Sequence, residues 1–305
     1  MALKVAMHNW MRPEPLETTL ARLARCGYDA IEISGEPALY DPGDVRRLLD
    51  KHGLECWGAV TLMTAGRDLV HEDRYVRLGT VEYVKDCITL VSELGGRILA
   101  VVPSTVGKTV PMASAREEWR WCVEGLAACQ AHAERHGVRL GIEPLNRFET
   151  YFINRCDQAL ALADEVGGDC GVALDSFHMN IEEADWAAAI RQAGDRLVDV
   201  HLADNNRMPP GQGAIDWAAF VRELTATGYD GCVAVEFVVS ADRSPISERI
   251  GVGDVSEVQA GPGMEQFLRD HSSGSLPEDY YDRYVQESID TLRSVVATVE
   301  EGSKV

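Results

Sequence analysis

Eight short apolar runs alternating with amphipathic stretches, in a chain of 305 residues, predict an α/β protein closed as a (β/α)₈ TIM barrel. Three observations carry the prediction. The runs are rich in Val, Ile and Leu and mostly lack polar alternation, as parallel strands covered on both faces do. The length suits one barrel of about 250 residues with an insertion. The rival, an open doubly wound sheet, needs a glycine-rich phosphate turn after its first strand, where "HNWMRPEP" stands instead. No stretch reads as a linker, so residues 1–305 are expected to form a single domain.

In chain order, "LKVAM" (3–7) is the first strand and "AIEI" (30–33) the second. Asp41-Pro42 opens a helix that Lys51-His52-Gly53 closes: Asp caps, Pro suits the first turn and Gly leaves the helix left-handed. "LECWGAV" (54–60) and "RILAVV" (97–102) follow as strands three and four. Ser114 and Glu117 form a capping box, in which the serine accepts from the Glu117 backbone while the carboxylate reaches back. The helix they open places Trp119, Cys122, Leu126, Cys129 and Ala133 on one face. Arg135 and His136 then complement its negative end and Gly137 stops it. "RLGI" (139–142), "GVAL" (171–174) and "LVDV" (197–200) supply strands five to seven. Asp216 and Gly228 bracket a helix before "CVAVEF" (232–237). Ser240 to Pro277, rich in Gly, Ser and Pro, reads as a long irregular insertion between strand eight and the last helix, a length usually tied to function or subunit contact.

Composition narrows the partners. With 29 basic against 49 acidic residues the formal charge is −20, a field that repels nucleic acid and anionic membrane. No run is long and apolar enough to span a bilayer. The first residues reach Trp10, Arg12 and two prolines too early for a signal-peptide core. Eight cysteines are scattered without a CxxC pair, which suits reduced core thiols in a cytoplasmic protein.

Catalytic groups of this architecture project from the C-terminal ends of strands. The last four strands end in "GIEPLNRFE", "ALDSFH", "VDVHLADNNR" and "AVEFV", whose terminal residues are Glu143, Asp175, His201 and Glu236. Taken alone, Asp175 would serve as a helix cap and His201 as a core histidine. Together, three carboxylates meeting at one imidazole would repel one another in a low-dielectric site. A divalent cation resolves that conflict, and the oxygen-rich set suits Mn²⁺, Mg²⁺ or Co²⁺ better than Zn²⁺.

These segments resemble the sugar isomerase/epimerase superfamily of xylose isomerase-like barrels, nearest to ketose 3-epimerases of the D-tagatose/D-psicose type. "EPLNRFET" is similar to that family's E-x-x-N-R-F-E motif, and "LDSFHMNIEE" resembles its segment around L-D-x-F-H-M-N. The resemblance implies that Glu143, Asp175, His201 and Glu236 hold the metal, Mn²⁺ first. It implies that Glu143 and Glu236 double as the acid/base pair, and that Glu149, His178 and Arg207 bind substrate oxygens. His8, after strand one, would reach the mouth as a further substrate contact. Trp10 and Trp57 would form an apolar wall or core, and Glu32 serves structure as readily as function. The implied reaction removes a proton beside a ketone and returns it through a metal-stabilised cis-enediolate.

Two departures leave the substrate open. Phe237 replaces the family's usual proline after the final glutamate, and the 240–277 segment is longer than a simple epimerase needs. The same barrel and ligands resemble inosose isomerases and the catalytic α-subunit of C-glycoside deglycosidases. The latter are lyases on 3-oxo-glucosides that work with a small β-subunit. The expected partners are therefore a small keto sugar or 3-oxo-glycoside. A homo-oligomer is the expected assembly, or a hetero-oligomer under the lyase reading. A metal-dependent apurinic endonuclease on this barrel is disfavoured, because that chemistry requires several metals and a basic DNA-binding face, whereas the charge here is strongly negative.

Overall fold

In the computed structural model, residues 3–64, 66–239 and 276–302 are described. Eight parallel strands close a barrel in sequence order: β1 (Lys4–His8), β2 (Ala30–Gly35), β3 (Glu55–Thr61), β4 (Ile98–Val101), β5 (Arg139–Ile142), β6 (Gly171–Asp175), β7 (Leu197–Leu202) and β8 (Cys232–Val235). The seam joins β8 to β1, with Val5 opposite Val233. Around it, among the described residues, run α1 (Leu16–Cys26), α2 (Pro42–His52), α3 (Arg74–Glu93), α4 (Ala115–His136), α5 (Cys156–Val166), α6 (Ser176–Glu182), α7 (Trp186–Ala193), α8 (Trp217–Ala226) and α9 (Glu278–Gly302). The closed eight-stranded barrel expected from the sequence is the one observed.

The helix ends follow their residues. Asp41 accepts from the Asp44 backbone N–H with Pro42 in the first turn, and Gly53 ends α2 at φ 67°. The Ser114–Glu117 capping box forms at the head of α4. Asp216 caps α8. Strand limits differ modestly from expectation. β2 continues to Gly35, past the expected end at Ile33. β7 continues through His201 to Leu202.

Alternation along the strands sorts the side chains into two populations. Val200 and Leu202 of β7 face the helices, while Asp199 and His201 face the barrel axis, where their partners lie. The lower interior is filled by one large ring: Trp57 packs against Ala6, Ala30, Cys232 and Ala234, whose small size makes room for it. Close strand approach demands the same economy at Gly171, where an added Cβ would lie 2.2 Å from the Arg196 carbonyl oxygen. Above Trp57 the interior turns polar, with His8, Glu32, Asp199 and His201 all at 0% exposure. A barrel whose upper half is ionisable and dry is built for a site, because burying such groups is costly unless they have a task or a partner.

The last helix completes the wall. α9 packs on α1 and α8, and its Tyr281 and Tyr284 rings lie 5.6 and 6.3 Å from Phe237. Phe237, which the sequence left as a departure bearing on substrate, is fully buried against that helix and so serves the core. The proposed insertion falls almost wholly on 240–275, outside the described residues.

Candidate functional site

Two strands place half of the site by register: Asp175 of β6 is opposite His201 of β7. Glu143 follows β5 directly and its backbone N–H still pairs with Val101 O. Glu236 follows β8 and pairs likewise with Leu202 O. The four side chains that the sequence singled out thus emerge at one end of the barrel. One potential ligand atom from each lies within 4.8 Å of all the others, and all four residues are buried.

His201 Nδ1 is 2.9 Å from Glu143 Oε1 and 3.3 Å from Glu236 Oε2. Trp10 Nε1 donates to Glu236 Oε1 at 3.0 Å. Asp175 serves as the helix cap that its sequence suggested. Its Oδ1 accepts from the backbone N–H groups of Phe177 and His178, capping α6, while Oδ2 is buried without a hydrogen-bond donor. Burial, with Glu236 and Glu143 close by, pushes the Asp175 carboxyl up to about 7. Burial raises Glu143 as well. His201 moves the other way from what burial alone would do: Glu143, Glu32, Glu236 and Asp199 hold it well above its usual value.

These are the features of a cluster short of positive charge. A dangling carboxylate oxygen, three acidic groups and one imidazole fit a divalent cation, and a divalent-metal-binding site is present in this sense. Bonds of about 2.1–2.5 Å put two ligands of one ion no more than about 5 Å apart, which the observed spacing satisfies.

Beside the cluster lies a narrow cavity of about 30 Å³. Glu143, Glu149, His178, Arg207, Glu236 and Trp10 contribute its polar side; Val60, Leu62, Met63, Val102, Val106 and Leu145 form an apolar wall. His178 Nδ1 accepts from the Asn146 amide at 2.8 Å and from its backbone N–H at 3.2 Å. That pair leaves Nε2 to carry the ring proton as a donor. Glu149 Oε1 takes hydrogen bonds from Asn146 at 2.9 Å and from Arg207 Nη1 at 2.6 Å. Arg207 sits at φ 61°, a left-handed conformation costly for a side-chain-bearing residue. Buried Asp204 holds this loop, accepting from the Gly211 and Ile215 backbones and the Trp217 indole.

His8 departs from the sequence-based expectation, and Trp57 takes the core role of the two that the sequence offered. His8 does not line the cavity. Its ring is fully buried below Glu236, 4.0 Å from Glu236 Oε1, and meets His201 edge-on at 4.5 Å. β1 runs through His8, which shares the inner face with Ala6 two residues back, and this puts the ring inside the barrel instead of at its mouth. Trp57 is no wall for a ligand either: it sits in the lower interior and donates its indole N–H to Asp199 at 2.9 Å. Trp10 does line the cavity. Sequence reasoning missed Asn146, whose role depends on a loop bringing it to His178. It also missed Asp199, which strand alternation does mark as sharing the inner face with His201.

The family profile described as "Xylose isomerase-like TIM barrel" matches residues 20–251. L-ribulose 3-epimerase of Mesorhizobium japonicum is 37% identical over 216 residues, covering 70% of this chain and 72% of that protein. The 3-dehydro-D-guloside 4-epimerase of Escherichia coli is 29% identical over 243 residues, covering 75% of this chain and 90% of that protein. The crystal structure of D-allulose 3-epimerase from Methylomonas sp. superposes with a TM-score of 0.81 at 25% identity, covering 96% of this chain and 98% of that one. From fold, site and these relatives together, the chain belongs to the xylose isomerase-like TIM-barrel family and is related within it to ketose 3-epimerases.

Proposed function

We propose that the chain is a divalent-metal-dependent epimerase acting at the carbon beside the ketone of a free keto sugar, a ketose 3-epimerase. The observation that carries this reading is the convergence of Glu143, Asp175, His201 and Glu236 beside a cavity into which both glutamates open. When bound, the cation supplies Lewis-acid stabilisation of the enediolate charge that develops as the proton leaves. Glu143 and Glu236 come from β5 and β8, three strands apart around an eight-stranded ring. They therefore approach a sugar from different sides. One takes the proton from carbon 3; the other returns a proton to the opposite face, which inverts that centre. His178 offers Nε2–H to the carbonyl-side oxygen. Arg207, held by Glu149, fixes a neighbouring hydroxyl. The apolar wall keeps bulk water from the carbanion-like intermediate.

Mn²⁺ is the ion we assign, with Co²⁺ or Mg²⁺ as substitutes, on the strength of three oxygen donors and one imidazole. A cytoplasmic location is supported by eight unpaired, buried cysteines. The assembly we propose is a homo-oligomer; sedimentation velocity measures it. We treat residues 1–305 as a single domain.

The test is incubation of Mn²⁺-loaded protein with L-ribulose, D-tagatose and D-psicose in deuterium oxide. NMR is expected to show deuterium entering carbon 3 together with the epimeric ketose, and no exchange after chelation. Absence of exchange with every ketose in metal-loaded protein refutes the reading. A second reading, a 3-oxo-glycoside substrate, draws support from the similarity to the 4-epimerase of Escherichia coli. Inversion of such a glycoside at carbon 4 would favour it. Release of the aglycone with an added β-subunit would point to the lyase.

A further inference from the structure

Beneath the cluster lies a second set of buried groups that the proposed chemistry does not use. His201 has two ring nitrogens, and the metal reading engages only one. Nδ1 faces Glu143 and Glu236, whereas Nε2 faces down the barrel, 3.0 Å from Asp199 Oδ2 and 3.3 Å from Glu32 Oε1. Asp199 is itself held at two points: its Oδ1 accepts from Trp57 Nε1 and from the Val200 backbone N–H, both at 2.9 Å. Asp199, Glu32 and His201 are all at 0% exposure, so no water competes for these bonds.

A neutral imidazole carries one proton, and the nitrogen that carries it cannot offer a lone pair to a cation. A fixed carboxylate at Nε2 draws the proton there and leaves the Nδ1 lone pair free. The opposite tautomer would donate from Nδ1 to Glu143, occupying two prospective ligands at once. Alternation explains the pairing, since residues two apart on a strand share a face and Asp199 precedes His201 by two.

We infer that Asp199 is the positioning residue of the metal centre, setting the tautomer and rotation of His201, and that Trp57 in turn orients Asp199. Glu32 is the weaker partner, because neither of its oxygens has a hydrogen-bond donor. The same group offers a rival. His8, Glu32 and His201 also bring ligand atoms within 4.8 Å of one another, as a second cation site would. That site would need the Nε2 lone pair of the ring that already gives Nδ1, at a nitrogen already within hydrogen-bond distance of Asp199. The tautomer role needs no such double duty.

The inference rests on the metal reading, and the experiment separates the two. Mn²⁺ affinity is measured by competition with a chelator for the wild type and for Asp199→Asn, Asp199→Ala and Trp57→Phe. Circular dichroism verifies folding. In parallel, long-range ¹H–¹⁵N spectra of histidine-labelled, Mg²⁺-loaded protein report which nitrogen of His201 is protonated. Asp199→Asn and Asp199→Ala are expected to weaken Mn²⁺ binding about 10- to 100-fold. The wild-type spectrum is expected to show His201 protonated at Nε2, and that signature is expected to weaken in the variants. Trp57→Phe is expected to lose less in the same direction and stands in if the Asp199 variants do not fold. Wild-type affinity in a folded Asp199 or Trp57 variant overturns the inference, as does protonation at Nδ1 in the wild type. Two ions per wild-type chain would overturn it in favour of the second site. A wild type that binds no Mn²⁺ refutes the metal reading itself.

Discussion

Asp175 shows at the scale of one residue how the site stores demand for a cation. Its Oδ1 is spent on two backbone donors, and its Oδ2 lies in a dry cluster of like charges. The carboxyl is raised to about 7 from 3.8. The sign follows: between these values the folded metal-free protein keeps a proton that the unfolded chain releases. This group therefore costs stability as pH rises from 3.8 to about 7. A cation must displace that proton, and the raised His201 adds a second release in the same direction. The gain in Tm on adding Mn²⁺ is expected to be larger at about pH 7.5 than at about pH 5.5; paired melts measure it, and equal gains would contradict the mechanism. At the same scale, under the proposed two-base scheme, Glu143→Gln or Glu236→Gln removes a proton carrier and weakens a ligand. Turnover is expected to fall by at least about 10²–10⁴-fold under saturating Mn²⁺, and near-normal turnover would exclude the two-base scheme.

Elements position these residues through packing that tolerates little change. β6 and β7 run so close that Gly171 has the Arg196 carbonyl oxygen and Val198 Cγ2 where a methyl would go, at 2.2 and 2.5 Å. Gly171→Ala forces β6 away from β7, and with it Asp175 away from His201. Destabilisation of about 1–3 kcal/mol is expected in urea unfolding, together with weaker Mn²⁺ binding. Lost stability with unaltered affinity would mean that the two strands do not share the burden. The β7–α8 loop shows the complementary strategy. Arg207 is held in an unfavourable backbone conformation, and buried Asp204 carries the hydrogen bonds that keep the loop there.

Across the whole molecule, the barrel is sealed by a helix distant in the chain. Arg22 of α1, with 2% side-chain exposure, is paired with Glu14 and with Asp282 of α9. Tyr28 donates to Val285 O at 2.9 Å and Arg293 pairs with Asp29 at 2.6 Å, adding further ties to α9. Arg22→Met takes one partner from each carboxylate, while Glu14 keeps Arg12 and Asp282 keeps Arg25. The expected loss is about 1.5–3 kcal/mol, since Asp282 also keeps contact with water at 31% exposure. Thermal melts measure the loss, while Mn²⁺ affinity at low temperature is expected to stay unchanged. A lower affinity would show that α9 reaches the site through the barrel wall.

Much of the fold was legible because its determinants are local. Strand composition, the Asp41-Pro42 start, the Ser114–Glu117 box and the glycine stops act within a few residues of one another, and each appears where the chain predicts it. Glu143, Asp175, His201 and Glu236 were legible too, because the strand end is a local property and the barrel supplies the convergence. The place of His8 was not, and for Trp57 the chain left wall and core both open. Whether Trp57 meets a ligand or fills the interior depends on the size of what the other strands contribute, here Ala6, Ala30, Cys232 and Ala234. The sequence alone therefore determined which groups stand at the rim. Only the tertiary structure decided which nitrogen of His201 faces them and that Trp57 orients Asp199 at the other, because ring rotation and a hydrogen bond between strands far apart in the chain leave no pattern in either strand.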